Sequence, residues 1–154
     1  MQLDAHDFAA MDDVQRLAAL EAFVTGVLAD GKVTPDEVRR FDEIVLALPW
    51  GVEPAVLTAM VKGAQQRVAA ITTLPEVTDF VASLAARLPS PELRDKVFYT
   101  MATVFSADGE VNRLETNVLG LFVVSFGITS DRLAVIKAAL TDRPVVPPAP
   151  RSVD

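Results

Sequence analysis

A nine-residue pattern occurs twice in this chain, and it limits the possible folds more than any other feature. Ala29-Asp30-Gly31-Lys32-Val33-Thr34-Pro35-Asp36-Glu37 returns 78 positions later as Ala107-Asp108-Gly109-Glu110-Val111-Asn112-Arg113-Leu114-Glu115. Each copy reads Ala-Asp-Gly-x-Val, then a small residue suited to capping a helix, then Glu three positions on. Each lies between two stretches in which apolar residues recur at three and four. Units this short cannot each bury a core alone, so two of them are expected to pack against one another.

The rest of the chain follows the same helical period, and no strand-length window alternates with a period of two. A first helix is expected from about Asp12 to Ala29, with Val14, Leu17, Leu20, Val24 and Leu28 on one face. Gly31 ends it, and Thr34, Pro35 and Glu37 start the second as N-cap, N1 and N3 of a capping box. That second helix carries Val38, Phe41, Val45 and Leu48 and stops at Pro49. A third follows Glu53-Pro54 to about Ile71, and Thr73-Leu74-Pro75-Glu76 opens a fourth. Ser90-Pro91 opens a fifth, which Gly109 ends. Asn112 and Glu115 start a sixth, and Ser130 a seventh. The Pro-rich residues 143–154 read as an extended tail.

The match between the halves extends past the motif. Val45 aligns with Val123 and Leu48 with Phe126; the offset then falls to 76, pairing Gly51-Val52 with Gly127-Ile128 and Leu57 with Leu133. The expected fold is an all-α bundle of six or seven helices, built from two three-helix repeats related by a pseudo-two-fold axis. It forms a single domain over residues 1–142: repeat one at about 12–71, a connector helix at about 75–88 and repeat two at about 91–141.

Composition removes several kinds of chemistry. The 154 residues include no cysteine, so thiolate metal sites and Cys nucleophiles are excluded. The one histidine, His6, falls in a segment read as a frayed terminus, which leaves no basis for a Ser-His-Asp triad or a histidine zinc site. A net charge of −7 argues against nucleic acid, which requires clustered Lys and Arg. No run approaches the roughly 18 apolar residues of a membrane span. With no signal-peptide order at the N-terminus, the cytosol is the default location.

Two readings of the motif remain open. Its second half matches a calcium loop, since Gly31 to Glu37 and Gly109 to Glu115 have the spacing of loop positions 6 and 12. The first half fails, because positions 1 and 3 fall on Gly26 and Leu28, and on Val104 and Ser106, so these are not EF-hands. On the structural reading, Gly31 and Gly109 close helices, while Thr34, Glu37, Asn112 and Glu115 cap the next ones, each cap contributing about 1 kcal/mol. On the ligand reading, the two loops meet and Asp30, Glu37, Asp108 and Glu115 form one acidic cluster. Thr34 and Asn112 then add neutral oxygens, an all-oxygen set suited to Ca²⁺, Mg²⁺ or Mn²⁺.

The tandem Ala-Asp-Gly-x-Val-x-x-x-Glu pattern on an all-α duplication resembles the tellurite-resistance TerB-like family, from about Asp12 to Leu140. The resemblance implies a small helical interaction module linked to tellurite resistance and stress responses, with protein partners in membrane-associated assemblies. It also implies metal binding by the acidic motif residues, here Asp30, Glu37, Asp108 and Glu115. The alternative is a small enzyme using Mg²⁺ or Mn²⁺ at the same cluster. Only Lys32 and Arg113 are basic within the motifs, and neither recurs in the other copy, which weighs against a repeated substrate site.

Trp50, just past a helix end, reads as a plug in the core between helices. The pair Arg39-Arg40 and the residues Arg67, Arg87 and Arg94 are scattered along the chain and read as solvated helix faces.

Overall fold

The computed structural model describes residues 2–28, 35–105 and 117–142. Among them are eight helices and no strand: α1 (Ala5–Ala10), α2 (Asp13–Leu28), α3 (Pro35–Ile44), α4 (Pro54–Ala69), α5 (Leu74–Arg87), α6 (Pro91–Phe105), α7 (Asn117–Ser125) and α8 (Ser130–Asp142). The fold class is the expected one, an all-α bundle with packing consistent with a repeated helical unit. Residues 29–34 and 106–116, which hold most of both motifs, lie outside the described residues, as does the tail.

Two helices form the centre. Residues 18–26 of α2 and 97–104 of α6 are buried on every side, including Leu20, Phe23, Phe98 and Met101. A helix that is apolar all round belongs inside a bundle. α2 lies against α4, α5 and α6, while α6 also meets α3, α7 and α8. One-sided periodicity therefore understated the burial of α2 and misplaced two residues. Val14 and Val38, expected on buried faces, are about half exposed.

Local signals set most boundaries. The hydroxyl of Thr73 accepts from the Glu76 amide at 3.3 Å, and the Glu76 carboxylate accepts from the Thr73 amide at 3.0 Å, closing the capping box of α5. Asp12 and Gln15 make the same reciprocal pair before α2, at 3.0 and 2.8 Å. Ser90 caps α6 by accepting from the Leu93 amide. For α8 the cap is Thr129, whose hydroxyl accepts from the Arg132 amide, one residue before the expected Ser130.

The extra helix is α1, in the segment expected to be frayed. Asp4 and Asp7 cap it reciprocally at 2.9 and 3.0 Å, and Lys96 of α6 donates to both carboxylate oxygens of Asp7 at 3.0 Å. Leu3, Phe8 and Met11 are buried beneath it, while His6 is exposed. Six residues are fewer than two turns, too short to show a period.

The change of offset between the halves is a two-residue insertion, Pro49-Trp50, between the matched pairs Leu48/Phe126 and Gly51/Gly127. Trp50 is the core plug the sequence suggests. It is 2% exposed, it donates from Nε1 to the Val45 carbonyl at 2.8 Å, and it meets Phe8 and Phe23 edge-on at 4.8 and 6.1 Å between ring centres. Both glycines flanking this point in the alignment are left-handed, Gly51 at φ +75° and Gly127 at φ +67°.

Candidate functional site

The motif lies at the junctions between α2 and α3 and between α6 and α7. Asp30, Gly31, Thr34, Asp108, Gly109, Asn112 and Glu115 fall outside the described residues; Glu37 belongs to α3, but its side chain is not among those described. The helices that lead into the two copies are described, and their C-terminal parts touch. Gly26, three residues before Ala29, lies so close to α6 that a Cβ there would stand 2.6 Å from Cγ of Met101 and 3.1 Å from its Sδ. A larger residue there would force Met101 to shift. Past Gly31, α3 begins at Pro35, as the N1 proline signals.

One turn earlier, each central helix carries a buried threonine at the same repeat position. Thr25 donates from its hydroxyl to the Glu21 carbonyl at 2.6 Å, and Thr103 to the Thr100 carbonyl at 2.6 Å. These bonds satisfy hydroxyls on side chains that are almost wholly buried.

The main electrostatic feature was not visible in the sequence. Glu21 of α2 is 2% exposed. Its carboxylate accepts from Nε of Arg67 on α4 at 2.5 Å and from Nη2 of Arg87 on α5 at 2.7 Å. Arg87 is therefore only partly solvated, while Arg67 stays exposed as a helix face does; together the two cations neutralise a buried anion, as such a charge requires. Gly63 leaves the space along α4 in which the Arg67 guanidinium lies, 3.2 Å from where a Cβ would stand. In the second half, buried Asp95 pairs with Arg132 across α6 and α8.

Arg94 also departs from expectation. It donates to the carbonyls of Leu88 and Ala85 at 2.5 and 2.7 Å, where α5 ends, and to that of Phe126 at 3.4 Å, where α7 ends. Arg39, by contrast, makes a surface pair with Asp36.

Among the described residues no group of three or more His, Asp or Glu is placed to hold a metal ion. A concavity of about 300 Å³ opens between the residues before α1, the end of α3 and the middle of α6. Gln2, Glu43, Tyr99, Thr100 and Thr103 are its polar lining. No described helix is long and apolar enough to cross a membrane.

Residues 16–138 match the family described as tellurite resistance protein TerB. That span covers most of the chain and both motif copies. The chain belongs to the TerB family. Comparisons with curated proteins and with solved structures give no significant match. The matched span runs from the first turn of α2 to near the end of α8.

Proposed function

We propose that this TerB-family chain is a non-enzymatic interaction module of the cytosol that holds a divalent cation between its two Asp-Gly motifs and docks to protein partners in a membrane-associated stress response. Asp30, Glu37, Asp108 and Glu115 are the ligands on this reading, with Thr34 and Asn112 adding neutral oxygens. An all-oxygen set favours Ca²⁺, Mg²⁺ or Mn²⁺. The observation that carries the reading is the contact of Gly26 with Met101: the helices leading into the two copies meet within a few residues of them. Four carboxylates converging from two loops would repel one another unless a cation joined them.

Calorimetric titration of chelator-treated protein with each cation tests this. Saturable heat that disappears in Asp30→Ala/Asp108→Ala is the expected result. No heat into the millimolar range, with the double variant only less stable, would leave the motifs as helix caps alone.

A further inference from the structure

We propose that the groove beside Tyr99 binds a small organic cation, a free primary amine or guanidine on a short alkyl body. The inference is independent of the cation reading of the motifs, because it uses none of their residues. At about 300 Å³ the groove has room for roughly ten water-sized groups. Its floor is α6, where Tyr99, Thr100 and Thr103 are all at least 95% buried. Thr100 gives its hydroxyl proton to the Lys96 carbonyl at 3.0 Å, and Thr103 gives its own to Thr100, so both oxygens are left with accepting capacity. Tyr99 has no hydrogen-bond partner among the described residues. Glu43 stands exposed at the rim, and among the described residues no Lys, Arg or His lines the groove. One carboxylate, a set of acceptors, and apolar walls from Leu3 and Ile44 select a donor with positive charge and an alkyl stem.

The other half of the molecule shows the same face occupied. At the 78-residue offset Tyr99 corresponds to Glu21 and Thr103 to Thr25. There the chain supplies the cations itself, because Arg67 and Arg87 lie on that face of α2. On α6 no guanidinium lines the groove, and space remains in its place.

Amide chemical shifts of the full chain, followed during titration with n-butylammonium, test the proposal. n-Butanol and butyrate serve as controls with the same body and a different head. The expected result is saturable shifts at Leu3, Ile44 and Thr103 with the amine alone, weakened at least about fivefold in Glu43→Gln. Because Glu43 is exposed, that variant keeps the fold, and its unchanged far-UV spectrum verifies this. Tyr99→Phe, which keeps the ring in the core, should weaken binding as well. Absence of saturation by about 10 mM, equal shifts with butanol or butyrate, or undiminished binding in both variants would overturn the proposal. Nα-acetyl-lysine methylamide carries the same head on a peptide backbone. Tenfold tighter binding of that compound would mean the groove reads a protein's lysine, and the free-amine assignment would fail.

Discussion

Arg16 and Arg94, 78 positions apart, each donate to backbone carbonyls at the end of the helix that precedes their own. Arg16 donates from Nε and Nη2 to the Phe8 carbonyl at 3.2 and 2.8 Å, near the end of α1; Arg94 donates to Leu88 and Ala85, at the end of α5. Each arginine lies four residues after the cap that starts its own helix, Asp12 or Ser90. The guanidinium therefore closes one helix while riding on the first turn of the next. The correspondence between the halves thus reaches one helix further than three-helix units would. α5, read from sequence as a connector, stands before α6 as α1 stands before α2.

Arg94 should matter more than Arg16 because it also reaches Phe126 at the end of α7. Arg94→Ala leaves up to three carbonyls without a charged donor, and a loss of about 2–3 kcal/mol in urea denaturation is expected, against about 1 kcal/mol for Arg16→Ala. Arg94→Lys should recover little, since a lysine cannot span separate carbonyls as a planar fork does. Equal losses at the two sites would show that the α7 contact contributes nothing.

Glu21→Ala removes the anion that holds Arg67 and Arg87. Breaking a buried pair typically costs about 3–5 kcal/mol, but here both cations can turn toward water, so about 2 kcal/mol is expected. Arg87→Ala should be worse than Arg67→Ala, because the Arg87 side chain is 27% exposed and that of Arg67 is 46%. A double-mutant cycle between Glu21 and each arginine measures the two couplings, and a larger value for Arg67 would reverse this ordering.

How far the sequence could be read follows from the range of the interactions. Thr73 with Glu76, Ser90 and Pro35 act within one turn, so their helix starts were legible. Trp50 was legible as a plug because a large aromatic has few other places to go. Glu21 was not legible, since its partners lie 46 and 66 positions away and nothing local separates a buried glutamate from a surface one. α1 was missed because its cap uses Asp at N3 and its length shows no period. Arg94 and Arg16 could have been found: the same 78-residue offset that pairs the motifs pairs them too.

Gly51 and Gly127 test the duplication at the backbone. Both have positive φ, and a Cβ at either would meet nothing within 4 Å. Replacement by alanine is therefore expected to cost only the left-handed penalty, about 1–2 kcal/mol, and nearly the same at each site. Asparagine should cost less at both. Thermal denaturation of the four variants would show this, and a large difference between Gly51→Ala and Gly127→Ala would mean that the insertion of Pro49-Trp50 has changed the local role of the glycine.

Gly26→Ala tests the contact between the central helices. In a helix interior this change normally gains about 1 kcal/mol. Here the new methyl would overlap Met101, itself 1% exposed, and overpacking of this kind costs about 1–3 kcal/mol, so a net loss is expected. Adding Met101→Ala should make the pair less than additive by about 1 kcal/mol. If the two motifs share an ion, Gly26→Ala should also weaken cation binding in calorimetry, although it touches no ligand.

The attachment of α1 should depend on pH at both extremes, and Trp50 reports on it, because Phe8 of α1 packs against the indole. The Asp7 amide, donating to Asp4, holds the Asp4 carboxyl below its usual range. A carboxylate with a lowered folded value stabilises above its unfolded pKa of about 3.9 and loses that contribution as pH falls through the folded value. The hydrogen bond to Asp7 raises the Lys96 ammonium, which therefore stabilises fully below about 10.4 and loses its contribution as pH rises through the higher folded value. Trp50 emission should stay constant from about pH 4 to 10 and shift to the red beyond either end, before far-UV ellipticity is lost. In Lys96→Met the alkaline shift should disappear while the acid one remains. An alkaline shift that persists in Lys96→Met would assign it to another group and leave α1 held by Phe8 and its apolar neighbours alone.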